Sequence, residues 1–277
     1  MRSLESSEVQ GERAIPFLKW AGGKRWLVDK YRDLFVLDFD RYVEPFLGSG
    51  AVFFSLAPER SIISDSNRDL IDSYKAIRSD WKGVYVLLEM HHELHCKEYY
   101  YEVRSSQPKT LVEKAARFIY LNRTCWNGLY RVNLNGDFNV PIGSKKNVIL
   151  ESDDFEVISE RLRGSEIVCS DFESVIDRCG DGDFLFIDPP YTVKHNCNGF
   201  VKYNEDLFSW GDQIRLRNSV AEARDRGAKV IVTNAAHDSI KELYQGLGDL
   251  QPFSRNSSIS GRSDRRGVYE ELVIKCI

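Results

Sequence analysis

The chain has 277 residues, 42% of them hydrophobic and 29% charged, enough to bury the core of one large domain that carries an insertion. A formal charge of -4 with a pI near 5.8 excludes a surface that is basic throughout, so any contact with nucleic acid must rest on a local basic face. No apolar run approaches the roughly 20 residues of a membrane span, residues 1–11 are polar and mixed in charge, and the six cysteines show no CxxC spacing; together these predict a reduced, cytoplasmic protein with no membrane partner.

Short apolar runs with the character of buried parallel strands occur at Arg41–Glu44, Ser61–Ser64, Glu166–Cys169, Phe184–Ile187, Lys229–Thr233 and Leu272–Cys276. Between Arg68 and Arg163 the pattern changes to charged, aromatic-rich segments with helical spacing, such as Trp81–His95 and Leu111–Arg123, and a helical insertion is expected there. Within it, His91 and His95 lie one helical turn apart, but the order His-His-Glu-Leu-His is not HExxH, so a solvated helix face is expected and no metal site. The loop Asn127–Gly143 holds Asn135-Gly136-Asp137, a tight-turn signal. After Phe184–Ile187, the stretch Asp212–Arg226 reads as a helix closed by Gly227, and Lys229–Thr233 follows at once, as in an α/β domain. The polar stretch Ser254–Gly267, with Arg255, Arg262, Arg265 and Arg266, is expected as a mobile loop before the last strand.

The strongest chemical signal is Asp188-Pro189-Pro190-Tyr191, placed directly after a predicted strand. Ligands of open α/β sheets bind just beyond the carboxyl ends of strands. An aromatic amine is a poor nucleophile because its lone pair is delocalised into the ring. A carboxylate and a carbonyl that accept its two N–H bonds would draw the nitrogen toward tetrahedral geometry and free the lone pair. Asp188 offers the carboxylate and Pro189 the carbonyl; two prolines stiffen the backbone, and Tyr191 offers an aromatic face to an extruded base. The alternative is a strand ending in a proline turn with a packed tyrosine.

Two glycine motifs exclude common readings. Gly48-Ser49-Gly50 would need glycine in place of Phe53 to match a dinucleotide fingerprint, and Gly23-Lys24 would need glycine at Leu18 and a hydroxyl residue at Arg25 to be a phosphate loop.

The ordered set Phe17–Lys24, Glu44–Gly50, Asn122-Arg123 with Asn127–Arg131, Phe138–Pro141 and Asp188–Tyr191 resembles the Dam-type DNA adenine N6-methyltransferases, from Phe17 to about Val273. The resemblance implies an α/β fold: a doubly wound, Rossmann-like methyltransferase sheet with an inserted, mainly helical target-recognition domain. The catalytic domain would be residues 12–67 and 164–277, and the insertion residues 68–163. It implies S-adenosylmethionine as methyl donor, S-adenosylhomocysteine as product, double-stranded DNA as partner, and neither a metal nor an obligatory protein partner.

Trp20 and Lys24 would then hold the methionyl end of the cofactor, and Glu44, Phe46, Gly48 and Gly50 would pass beneath it. Asp65 would take the ribose hydroxyls or cap the following helix. Asp171 and Phe172 would bracket the adenine of the cofactor, or serve as a cap and a core residue. Asp188 would grip the target amine beside the methionine. Lys19 would face DNA. Arg123, Asn127, Leu129, Arg131 and Pro141 form the recognition segment, with Arg131 reading guanine and Leu129 wedging into the stack. Arg262, Arg265 and Arg266 would meet phosphates or merely solvate their loop. GATC is the expected site, in a restriction-modification, phage or housekeeping setting. Rival expectations are methylation of an RNA base or a protein amide, and a DNA-binding module without catalysis.

Overall fold

The computed structural model describes residues 14–133, 135–193, 208–256 and 268–277. Its strands are β1 (Arg41–Glu44), β2 (Ser61–Asp65), β3 (Ser165–Cys169), β4 (Asp183–Ile187), β5 (Lys229–Ala235), β6 (Asp249–Asn256) and β7 (Val268–Cys276). Its α-helices are α1 (Arg25–Lys30), α2 (Ala51–Leu56), α3 (Arg68–Glu93), α4 (Lys97–Ser105), α5 (Leu111–Thr124), α6 (Phe155–Leu162), α7 (Phe172–Ile176), α8 (Trp210–Asp225) and α9 (Asp238–Tyr244). Two compact units divide these residues. A sheet unit draws on Lys24–Gly48, Pro58–Ile71 and Gly164–Ile277; a helical unit draws on the residues up to Gly23, Ser49–Ala57 and Asp72–Arg163.

The sheet unit carries seven strands in the order β3-β2-β1-β4-β5-β7-β6. The first five are parallel. All five residues of β4 are buried, as expected where both faces are covered and polar alternation has no role. On one face Val175, Ile176, Leu216 and Val220 from α7 and α8 pack with Leu185, Val230 and Val232. A capping box of Ser209 and Asp212 starts α8. Just beyond its end, Gly227 takes φ 95, a left-handed turn that returns the chain to β5 at little steric cost.

The last strand departs from expectation: β7 is antiparallel to β5, and β6 pairs antiparallel on its far side. Apolar runs alone do not encode direction. The strand β6 is mostly polar and contains Pro252, which an edge strand tolerates because one row of its amides is not needed by a neighbour. Ser254–Asn256, expected in a loop, therefore belong to β6, and 257–267 lie outside the described residues. No helix among the described residues is long and apolar enough to cross a membrane.

In the helical unit α3 breaks at Asp80 (φ -154°, ψ 64°), whose carboxylate accepts the Gly83 amide at 2.9 Å and so restarts the helix. A capping box of Thr110 and Glu113 opens α5. Tyr74 meets Phe17 edge-on at 5.0 Å, and Phe155 packs on the same ring of Phe17. The turn at Asn135–Asp137 forms as expected: the Asn133 amide donates to the Asp137 carbonyl at 2.9 Å, and Val132 bridges Phe138.

His91 and His95 correct the expectation of a solvated face. His91 is buried, stacks on Tyr120 at 4.8 Å and pairs with the Tyr99 hydroxyl at 2.8 Å, while His95 Nδ1 meets the Tyr120 hydroxyl at 2.9 Å. No metal-binding cluster occurs among the described residues. Burial depresses the His91 pKa to about 4. The unfolded histidine takes up a proton near its ordinary value of about 6.5 while the folded one resists, so this contribution to stability is present above that value and is lost as pH falls toward 4. His91→Gln is expected to flatten that slope in thermal unfolding measured between these pH values; an unchanged slope would assign the dependence to other groups.

Candidate active site

The connections run one way from β1 and the other way from β4, so the two neighbouring strands mark a topological switch point whose carboxyl ends form a crevice. At the end of β1, Glu44 is buried and accepts the Tyr42 hydroxyl at 2.8 Å. The loop is then stitched to the end of β2: the Leu47 amide donates to the Ser64 carbonyl at 2.8 Å, and the Gly48 amide to Asp65 Oδ2 at 3.1 Å. Gly48 takes φ 49, a conformation suited to glycine. The other Asp65 oxygen accepts the Asn67 amide at 2.9 Å. Asn67 accepts the Leu70 amide and is the residue that caps α3, so the capping alternative for Asp65 falls away. Burial pushes the Asp65 carboxyl above its usual range against the lowering effect of these amides. Ser64 Oγ is buried without a hydrogen-bond partner among the described residues.

At the carboxyl end of β4, Asp188 sits among residues from four segments. Its Oδ1 accepts the Thr233 hydroxyl of β5 at 2.7 Å, and its Oδ2 lies 2.8 Å from the Lys24 ammonium. Lys24 also reaches Glu271 Oε2 of β7 at 3.5 Å, and the Tyr191 hydroxyl donates to that same oxygen at 2.9 Å. The ammonium stands 5.1 Å from the centre of the Tyr191 ring. Lys24 and Glu271 are 3% and 6% exposed, whereas Asp188 is 18% exposed, so the aspartate is the member open to a ligand. Burial, with the Asp188 and Glu271 charges, pushes the Tyr191 phenol up, which keeps it a hydrogen-bond donor. Gln213 of α8 donates to the Pro190 carbonyl at 3.4 Å and accepts from Asn234 at 3.0 Å, tying the proline turn to β5.

Lys24 is thus found on Asp188 and Glu271, two carboxylates of the chain itself. Phe46 stacks on Phe172 at 5.4 Å; Phe172 is buried, and the Arg215 guanidinium lies 4.8 Å from its centre. Asp171 caps α7 through the Glu173 amide and pairs with Arg215 at 2.8 Å. Thr233, Gln213 and Glu271 were not among the expected site residues. The available signals were a polar pair ending the apolar run of β5 and an acid immediately before the apolar run of β7.

In the helical unit, Gly50 starts α2 at φ 66, and a Cβ there would stand 3.1 Å from both the Phe54 ring and the Tyr74 hydroxyl. Trp20 stacks on Tyr130 at 5.7 Å. Asn122 exchanges hydrogen bonds with the Lys19 backbone at 2.9 and 2.8 Å, and burial and the Lys145 charge bring the Lys19 ammonium down to about 8. Asn127 (φ 55), Leu129, Arg131 and Pro141 are exposed; Arg131 Nε donates to Asn139 at 2.7 Å.

Arg123 is a correction. Its side chain is 2% exposed, forms a bidentate pair with Asp153, and donates to the Phe17 and Val148 carbonyls. A guanidinium with its donors spent on buried acceptors is a structural tie and does not read DNA. Arg262, Arg265 and Arg266 lie outside the described residues.

Comparison with known proteins matches residues 20–258 to the family described as D12 class N6 adenine-specific DNA methyltransferase. The type II methyltransferase M1.LlaDCHI of Lactococcus lactis subsp. cremoris is 35% identical over 268 residues, 94% of each chain. The DNA adenine methylase of Escherichia coli (strain K12) is 32% identical over 264 residues, 93% of each chain. The DNA N-6-adenine-methyltransferase of Escherichia phage P1 is 34% identical over 285 residues, which cover 98% of this chain and 38% of the phage protein. The chain belongs to the D12 class of N6 adenine-specific DNA methyltransferases.

Proposed function

We propose that this methyltransferase acts on an adenine turned out of duplex DNA, within GATC, and takes its methyl group from S-adenosylmethionine. The observation that carries the site assignment is the Asp188 carboxylate at the end of β4, held by Thr233 on one oxygen and Lys24 on the other while remaining partly open. The residues present fit the donor. Asp65 supplies an acceptor carboxylate for a diol, Ser64 Oγ is a buried hydroxyl with no hydrogen-bond partner among the described residues, and Gly48 leaves the loop open to a close approach. When bound, the donor supplies an electrophilic methyl group on a sulfonium.

Asp188 accepts one N–H of the adenine amine and the Pro189 carbonyl the other, which draws the nitrogen lone pair out of conjugation. Tyr191 offers its ring face to the base. The Gln213 bond to the Pro190 carbonyl holds the turn so that these acceptors need not reorganise during the reaction. Trp20, Glu44, Phe46, Gly50, Asp171 and Phe172 complete the cofactor side. Lys19, Asn127, Leu129, Arg131 and Pro141 meet DNA, joined by Arg262, Arg265 and Arg266 at phosphates; residues 68–163 form the recognition insertion.

Labelled methyl transfer offered in parallel to DNA, RNA and protein, followed by mapping of methylated adenines, tests this reading; methylated sites that share no GATC would overturn the recognition sequence. Arg131 is exposed and free to turn from Asn139 toward a base edge. Arg131→Ala is expected to cost about 1 to 3 kcal/mol at one base position and to spare random DNA. Equal losses on cognate and random duplexes would make it a phosphate contact.

A further inference from the structure

We propose that Glu271 is a positioning residue for methyl transfer, fixing the Tyr191 ring through its phenol and sharing the Lys24 ammonium so that Asp188 can turn to the target amine. The inference rests on the reading that Asp188 and Tyr191 engage the base. It starts from where the reversed strand puts an acid. Because β7 is antiparallel to β5, its amino-terminal end lies beside the carboxyl end of β5, with Glu271 opposite Ala235 and two places beyond Thr233. The three residues that follow, Leu272, Val273 and Ile274, are almost fully buried, and Glu271 is the acid that opens this apolar run.

Burying a carboxylate is costly unless it is paired and hydrogen-bonded, and an apolar residue of similar size would serve the sheet at less cost. Glu271 engages two groups that belong to the site. One oxygen takes both the Tyr191 hydroxyl at 2.9 Å and the Lys24 ammonium at 3.5 Å. The first contact pins the hydroxyl end of the ring and so fixes where its long axis points, and the raised phenol pKa keeps that proton in place. The second contact matters because Lys24 otherwise belongs to Asp188, at 2.8 Å. An ammonium drawn wholly to Asp188 competes with the adenine amine for the same oxygen; a second carboxylate moderates that competition without leaving the buried cation unpaired.

Glu271→Gln keeps the shape and an acceptor for Tyr191 but removes the charge shared with Lys24. Under saturating DNA and cofactor its kcat is expected to fall about ten- to hundredfold with KM values little changed. Tyr191→Phe removes outright the hydrogen bond that Glu271→Gln weakens by replacing a carboxylate acceptor with a neutral amide, and the two changes together are expected to cost less than the product of the single losses. With 2-aminopurine at the target position, the Glu271→Gln complex is expected to emit more brightly than the wild type because a loosened ring stacks less well on the base. A merely structural Glu271 would lower the melting temperature and leave kcat and emission of the folded fraction unchanged, which overturns the proposal. Should Glu271→Gln not fold, Glu271→Asp and Tyr191→Phe carry the same kinetic test, and wild-type kcat in both overturns it. Asp188→Ala is the control: activity there defeats the underlying site reading, whereas an inactive Asp188→Ala beside a fully active Glu271→Gln defeats the Glu271 proposal alone.

Discussion

Methyl transfer by Asp188→Ala is expected to fall by about a thousandfold or more, with DNA binding retained. The carboxylate is more exposed than the Lys24 ammonium and the Glu271 carboxylate beside it, and it stands at a strand end outside the apolar core, so its loss opens no large cavity. What disappears is an acceptor preorganised by Thr233 and Lys24. Truncation also removes the nearer partner of a buried ammonium, so some thermal destabilisation is expected alongside the kinetic loss. Asp188→Asn separates the two effects because it preserves volume and an acceptor for Thr233 while withdrawing the negative charge. Single-turnover methyl transfer measured beside fluorescence anisotropy on the same duplex is the check, and substantial activity in the alanine variant would move the chemistry elsewhere.

Arg123→Ala is expected to have the largest effect on stability, about 3 to 5 kcal/mol, because it strands Asp153 as a buried charge and leaves the Phe17 and Val148 carbonyls without a donor. That is a large fraction of the roughly 5 to 15 kcal/mol by which domains are stable, so the variant is expected to be partly unfolded well below the wild-type melting temperature. Arg123→Lys restores charge without the bidentate fork and should recover only part of the loss. Urea unfolding of the three proteins gives the comparison. A variant of normal stability with weakened cognate binding would restore Arg123 to the DNA surface.

These two residues mark what could be read from the sequence. Asp188 was legible because apolar runs such as Phe184–Ile187 announce a strand, and a rigid polar turn at its end falls where sheets of this class bind ligands. Arg123 was misread because an arginine in a recognition segment looks alike whether it faces a groove or a buried carboxylate; its partner Asp153 is 30 residues away. The same blindness to distant partners hid Thr233 and Glu271, which acquire meaning through Asp188, 45 residues from one, and Tyr191, 80 residues from the other. The helix α4 lies within the stretch expected to be helical, but its start carries no usual signal because its amino-terminal cap is a thiol, Cys96, accepting the Tyr99 amide. Strand direction at β7 was invisible for a different reason: pairing sense is decided by connections, and Leu272–Cys276 is equally apolar in either sense.

The reversal of β7 also bears on the order in which the protein becomes competent during synthesis. A parallel strand at this place would have brought only its far end to the crevice; this one brings Glu271, near its start, and it follows the other described strands in chain order. A ribosome-bound chain that has already released Asp188, Tyr191 and Thr233 still lacks the carboxylate that takes the Tyr191 hydroxyl and shares Lys24. Among the described strands, pairing of β7 onto β5 and arrival of Glu271 at Tyr191 and Lys24 therefore belong to one event, and a nascent chain still short of β7 has neither.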